Sequence, residues 1–146
     1  MQRTVKYLTL ALYGGVIYYI IEAFYKSNWS DSPTHWSMAL VGALAFLLVG
    51  GINNYLPWRM SIVLQCLIGA AAITALELVA GLILNVWLGL GIWDYSGLPL
   101  SLWGQICLPF SAVWVVLSLV CIVLDDFLRY WIFGEERPKY YLFKGE

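Results

Sequence analysis

Four long apolar runs, separated by short links rich in Asn, Pro, Ser and Trp, constrain this chain more than anything else in it. A bilayer hydrocarbon core about 30 Å thick takes roughly 20 apolar residues per helical crossing. Reading for continuous apolar length predicts spans over about 5–25, 36–52, 60–84 and 104–124. Asn53, Asn54 and Pro57 end the second span, because a proline removes a backbone donor and turn residues compete with the helix. Pro109 falls in the opening turns of the fourth, where helix amides have no partner and proline is tolerated. The expected fold is an all-α integral membrane protein. It is a four-transmembrane-helix bundle in a single domain, 1–146, with a short cytoplasmic tail over 125–146.

Composition agrees. The chain is 62% hydrophobic and 12% charged, whereas soluble domains carry about half apolar residues and about a quarter charged ones. Four crossings use up 146 residues, which leaves no length for a soluble ATPase or receptor domain. Eight basic and nine acidic residues show no cluster of the kind that phosphate binding needs, so no nucleic-acid partner is expected.

Cytoplasmic loops collect Lys and Arg. With four crossings, Arg3, Lys6, Arg59, Arg129, Arg137, Lys139 and Lys144 share one side, and Lys26 alone falls on the other. Both termini are therefore predicted in the cytoplasm. The first span follows a short basic leader as a signal peptide does. Glu22, Phe24 and Tyr25, however, stand where small cleavage-site residues belong, so a retained helix is expected. The protein is thus read as multi-pass, in a plasma or inner membrane, with the lipid bilayer as its main partner.

The segment 85–103 is too short to cross again. It either extends the third helix, lies in the interface or folds back as a re-entrant stretch whose backbone finds partners in protein. Trp29, Trp36, Trp87, Trp93 and Trp103 flank the outer ends of the spans, and Trp58, Tyr130 and Trp131 the inner ones, as an aromatic belt would. The order Trp29, Ser32, Pro33, Trp36 returns as Trp93, Ser96, Pro99, Trp103, which suggests a parallel repeat of two hairpins.

Small and polar residues recur at helical spacing on three spans. They are Gly104, Cys107, Ser111, Ser118, Cys121 and Asp125 on the fourth, with Trp114 inserted among them, Ala70, Thr74, Glu77, Gly81 and Asn85 on the third, and Ala39, Ala43 and Gly50, with Phe46, on the second. Such stripes let helix backbones approach closely where lipid offers no hydrophobic drive, so they are expected to face inward. Cys66, Cys107 and Cys121 all lie inside these spans and read as small packing residues.

The chemistry-bearing residues are acids. Glu22, Asp31, Glu77 and Asp94 gather near the outer face with His35 beside them and Lys26 as counterion. Glu77 lies roughly 25 Å along its span, below the headgroups, where an ionisable group faces the bundle interior or a water-filled cavity. If Glu22 faces it, the pair would hold a proton, a cation or a cationic ligand. Glu77 would alternatively brace the loop before the fourth helix. Asp94 also fits the first position of a turn closed by Gly97, and Asp31 with Ser32 would cap the second helix. The ligand- or ion-binding candidates are Glu22, Glu77, Asp94, Trp93 and Tyr95. No nucleophile–base pair or metal-ligand spacing is present, so no catalytic residue, metal or cofactor is expected, and the chain is read as no enzyme.

The run ELVAGLIL from Glu77, a spacer, and then WDYSGLPLSLWGQICL from Trp93 resembles the Putative ABC-transporter type IV family of CmpB-like membrane proteins. The resemblance rests on Glu77, Gly81, the Trp93 to Ser96 turn and Gly104, and more loosely on Glu22, Trp29, Trp36 and Gly42. It implies a transport permease, and together with the acidic cluster the expectation is a transport-type or ligand-binding permease-like subunit with an outward-facing acidic cavity, forming a homo-oligomer or joined to a partner membrane subunit. The chain carries no Walker-type phosphate loop, so ATP would need a separate subunit. The alternative is a non-catalytic structural or regulatory scaffold that binds a partner helix or lipid.

Overall fold

The computed structural model describes residues 2–30 and 32–143. Its first helix, α1, is Gln2–Trp29. The second, α2, is Ser37–Ala45, and it widens to a π turn over Phe46–Gly50 and tightens to a 3-10 turn over Gly51–Asn54. The third, α3, is Ile62–Gly81 and continues as a π turn over Leu82–Trp87. The fourth, α4, is Leu108–Phe133. Four spans, Gln2–Trp29, Ser37–Asn54, Ile62–Trp87 and Leu108–Phe133, are long and apolar enough to cross a membrane. The described residues form no strand beyond an isolated bridge between Leu102 and Ile106.

The helix ends follow local chemistry. Ser61 accepts hydrogen bonds from the amides of Val63 and Leu64 and so caps α3. Just before α2, His35 Nδ1 lies 2.7 Å from Ser37 Oγ and accepts from the Ser37 amide at 3.2 Å. The capping expectation at Asp31 lies outside the described residues. Pro109 sits in the first turn of α4, and Gly134 closes that helix in the left-handed conformation, φ 65°.

Two boundaries differ from expectation. The segment from Asn85 divides: its first residues extend α3 to Trp87, and 88–107 is an irregular loop over the bundle end. Helix α4 starts at Leu108 and runs to Phe133, so Asp125 to Phe133 is helix and not tail. Apolar length places charged residues outside the membrane, but here the charges are buried in pairs. Asp125 meets Arg129 at 2.6 Å, and Asp126 accepts from Asn53 Nδ2 at 2.7 Å and from Tyr140 Oη at 2.8 Å. The rest of the tail turns back on its own bundle. The Ile62 amide donates to Tyr141 O and Ser61 Oγ donates to Leu142 O.

Helix α1 packs chiefly on α2 and α3 chiefly on α4, giving two hairpins, while α2 and α4 meet across the centre. The hairpins share helix order but not their links, short at 30–36 and long at 88–107. The predicted stripes do face inward: Ala70, Glu77 and Gly81 on α3, and Trp114, Ser118 and Asp125 on α4, are buried. Thr74 and Ser111 join across the α3–α4 seam at 2.9 Å. The cysteines are free thiols, and Cys66 and Cys121 belong to the apolar packing around Val49, Ile52 and Ile122. A second cluster, Leu10, Phe46 and Leu128, ties α1 to α4 near the termini. Dense packing thus occupies the end that carries the termini. The opposite, distal half is not filled.

Candidate functional site

The space left there is a half-open cleft of about 690 Å³, with α2 and α3 as its floor and α1 and α4 as its walls. All five candidate residues, Glu22, Glu77, Trp93, Asp94 and Tyr95, border it. They do not play equal parts.

Glu22 and Glu77 carry the charge. Glu22 pairs with Lys26 one turn later at 3.3 Å, and its other oxygen, Oε2, is buried with no hydrogen-bond partner. Glu77 is 8% exposed. The indole N–H of Trp114 approaches it without closing a hydrogen bond, and no cation pairs with it among the described residues. Two carboxylates against one ammonium leave the site short of positive charge. Buried carboxylates are ordinarily paired, because removing an isolated charge from water is costly. Ionisable residues within a membrane span ordinarily face the bundle interior or a water-filled cavity, as these two do.

The loop above the cleft is braced by other groups, which corrects the expectation that Glu77 holds it. Lys26 Nζ donates to Ile92 O at 3.1 Å. Asn85 uses both ends of its amide, accepting from the Ile92 amide at 2.7 Å and donating to Gln105 Oε1 at 2.8 Å. Gly81 permits this, because a Cβ there would overlap the Gln105 side chain.

Trp93 and Asp94 are largely committed to that loop. Trp93 Nε1 donates to Gln105 O at 3.0 Å, and its ring faces the cleft. Asp94 is exposed and accepts from both the amide and the hydroxyl of Ser96, so its turn role is realised. Those bonds hold its carboxyl below the ordinary carboxylate value. Gly104, φ 70°, lies directly against it: a Cβ there would come within 2.8 Å of Asp94 Oδ1. Tyr95 stacks on Phe110 with centroids 4.7 Å apart and planes 9° from parallel. Burial first, and then the Glu77 carboxylate, push its phenol well above the ordinary range and keep it neutral.

Sequence reasoning placed Trp114 on an inward stripe but missed the rest of the aromatic part of the site. Tyr25 meets Phe110 edge-on at 5.9 Å, Phe110 lies 6.1 Å from Trp114, and Trp114 lies 6.4 Å from Tyr18. With Tyr95 these rings form a curved wall beside the two glutamates. Gly42 makes room for it, since a Cβ there would overlap the Tyr18 ring. A signal existed: Tyr18, Glu22 and Tyr25 on α1, and Phe110 and Trp114 on α4, recur at the three- and four-residue steps that share a helix face. The aromatic-belt reading suits Trp29, Trp36, Trp87 and Trp103, which are exposed at the distal end.

Among the described residues, no group of three or more His, Cys, Asp or Glu side chains is placed to hold a metal ion.

A family model described as Putative ABC-transporter type IV matches residues 38–135, two-thirds of the chain. The chain belongs to that family. It is therefore a multi-pass membrane protein of a transporter-related family. The matched region spans α2, α3, the bracing loop and α4, and so contains Glu77, Trp93, Asp94, Tyr95 and Trp114, while Glu22 and Lys26 lie on α1 outside it. No curated protein and no solved structure matches the chain.

Proposed function

We propose that this protein is a transport-type, ligand-binding membrane subunit whose outward-facing acidic cavity takes a cation, and that it is not an enzyme. The observation that supports this reading is Glu77: a carboxylate inside a membrane span, bordering an open cleft, without a counterion and beside a second carboxylate with a free oxygen. A cation between them supplies the missing charge, and the aromatic wall adds attraction through ring faces, about 0.5–2 kcal/mol per favourable contact. Any coupling to ATP comes from a separate subunit, since the chain has no phosphate loop.

The orientation follows the positive-inside rule. Arg3, Lys6, Arg59, Arg137 and Lys139 lie at the terminal end, which sets that end in the cytoplasm and the cleft mouth outside, in a plasma or inner membrane. Arg129 drops out of this count because it is paired with Asp125 inside the bundle. Lys144 lies outside the described residues.

The alternative is a scaffold that binds a partner helix or lipid; against its helix-binding form, the seam glycines Gly50 and Gly81 lie against the chain's own Asp125 and Gln105 side chains.

Equilibrium dialysis of tetramethylammonium against the purified protein in nanodiscs tests the proposal. Glu77→Gln is expected to bind at least about tenfold more weakly, a loss of about 1.4 kcal/mol. Equal binding by both proteins overturns it.

A further inference from the structure

The cleft is much larger than a small cation needs, and it is polar only at its distal end. Along α4 it borders residues from Phe110 to Leu124, about 21 Å of helix at 1.5 Å per residue, which exceeds the depth of one leaflet, about half of the 30 Å hydrocarbon core. Away from the glutamates its borders are apolar: Ile17, Val41, Ala45, Ile73, Leu117 and Val120. Its volume falls in the range of about 300–1,000 Å³ typical of sites for small organic ligands.

The cleft also has a side opening. Helices α1 and α4 touch through Tyr25 and Tyr18 at the distal end and through Leu10 and Leu128 near the termini, and pack sparsely between. Ile21, Val113 and Val120 on its rim are 39%, 46% and 49% exposed. On a membrane span that surface meets lipid tails. The chemistry of the two ends is thus that of an amphiphile: net negative charge with aromatic faces at the head, and a long apolar trough for a tail.

We infer that the ligand is a single-chain amphiphile with an ammonium head group, its head among Glu22, Glu77 and the Tyr95–Phe110–Trp114 rings and its tail in the trough between α1 and α4. This rests on the reading of the cavity as a cation site and adds the class of ligand and its route, sideways from the outer leaflet. Charge complementarity selects the occupant. A neutral lipid leaves the second carboxylate uncompensated, and an anionic one is repelled by it. Methylated or bare ammonium suits the ring faces, which carry negative electrostatic potential.

The test uses the full chain in zwitterionic nanodiscs with radiolabelled dodecyltrimethylammonium and tetramethylammonium, and with dodecyl sulfate as competitor. Comparing variants in the same nanodisc cancels partition of the probe into lipid. Leu117→Trp fills the trough and is expected to weaken the long probe about tenfold while leaving the small one unchanged. Glu77→Gln is expected to weaken both, and dodecyl sulfate to displace neither. Val120→Trp serves as a second trough variant, and only variants that melt within a few degrees of the wild type are compared. If both trough variants bind the long probe as the wild type does, the amphiphile is wrong and the small-cation site stands. If Glu77→Gln binds both probes normally, or dodecyl sulfate competes well, the cation site and this inference fall together.

Discussion

Glu22 and Lys26, one helical turn apart, form an ion pair at 3.3 Å that satisfies one carboxylate oxygen and leaves the other buried and free. Lys26 in turn holds Ile92 O, so one ammonium serves both the cavity wall and the loop above it. The charge at the cavity wall and the hold on the loop therefore meet at a single side chain.

Replacing Lys26 by Met removes both bonds and leaves Glu22 without a partner. Breaking one side of a buried pair costs about 3–5 kcal/mol; side chains about one-tenth exposed place this pair near the lower figure. Hydrogen exchange should show faster exchange across 88–107, and adding Glu22→Gln should restore much of the melting temperature. A Lys26→Met protein with unchanged loop exchange would falsify the brace.

Glu77→Gln behaves differently. The carboxylate closes no hydrogen bond or ion pair with the described residues. The variant is expected to melt at or above the wild-type temperature at neutral pH, because stability is gained where an unpaired charge is removed from a site kept for function. A melting point well below wild type in the same detergent would instead make Glu77 a structural group.

At the other end, Arg129 and Asp125 are 4% and 0% exposed at the side chain and 2.6 Å apart. Arg129→Leu alone should cost about 3–5 kcal/mol, and Asp125→Leu together with Arg129→Leu should recover a large part of it. Thermal unfolding of the single and double variants measures this directly. Additive losses would show that the two side chains act independently.

Gly42→Leu should be costly for a steric reason. A side chain there overlaps Tyr18, and forcing extra methylenes into a packed contact costs about 1–3 kcal/mol. The same change pushes Tyr18 out of the aromatic wall, so cation binding should weaken along with stability. Retained binding in a destabilised protein would separate Tyr18 from the site.

The turn at Asp94 has a defined pH dependence. Hydrogen bonds from Ser96 hold this carboxyl below its ordinary value of 3.8, so its contribution to the turn is complete above that value and is lost as pH falls through the lower one. Protection of the Ser96 amide, its exchange measured relative to the intrinsic rate at each pH, should be constant from neutral pH down to mildly acid conditions and then fall as pH drops through the lowered Asp94 value. Asp94→Asn should show the faster exchange already at neutral pH.

The sequence by itself determined the solvent, the four crossings and the inward stripes, and it singled out the acids within the spans. Continuous apolar length and helical period are local properties, and an acid within an apolar span has few places to go. It misplaced the end of α4, because charge was read as exposure where Asp125 with Arg129, and Asp126 with Asn53 and Tyr140, compensate one another in the interior. Only the tertiary structure decided that Glu22 and Glu77 border one cleft and that Tyr18, Tyr25, Tyr95, Phe110 and Trp114 form a wall beside them. It likewise assigned the loop to Lys26, Asn85 and Gln105 and not to Glu77. The rotation and order of helices around a bundle are set by contacts between residues far apart in the chain, at glycines such as Gly42 and Gly81 where one helix admits the side chain of another segment. Hydrophobic periodicity carries little of that information when the surrounding lipid is as apolar as the bundle itself.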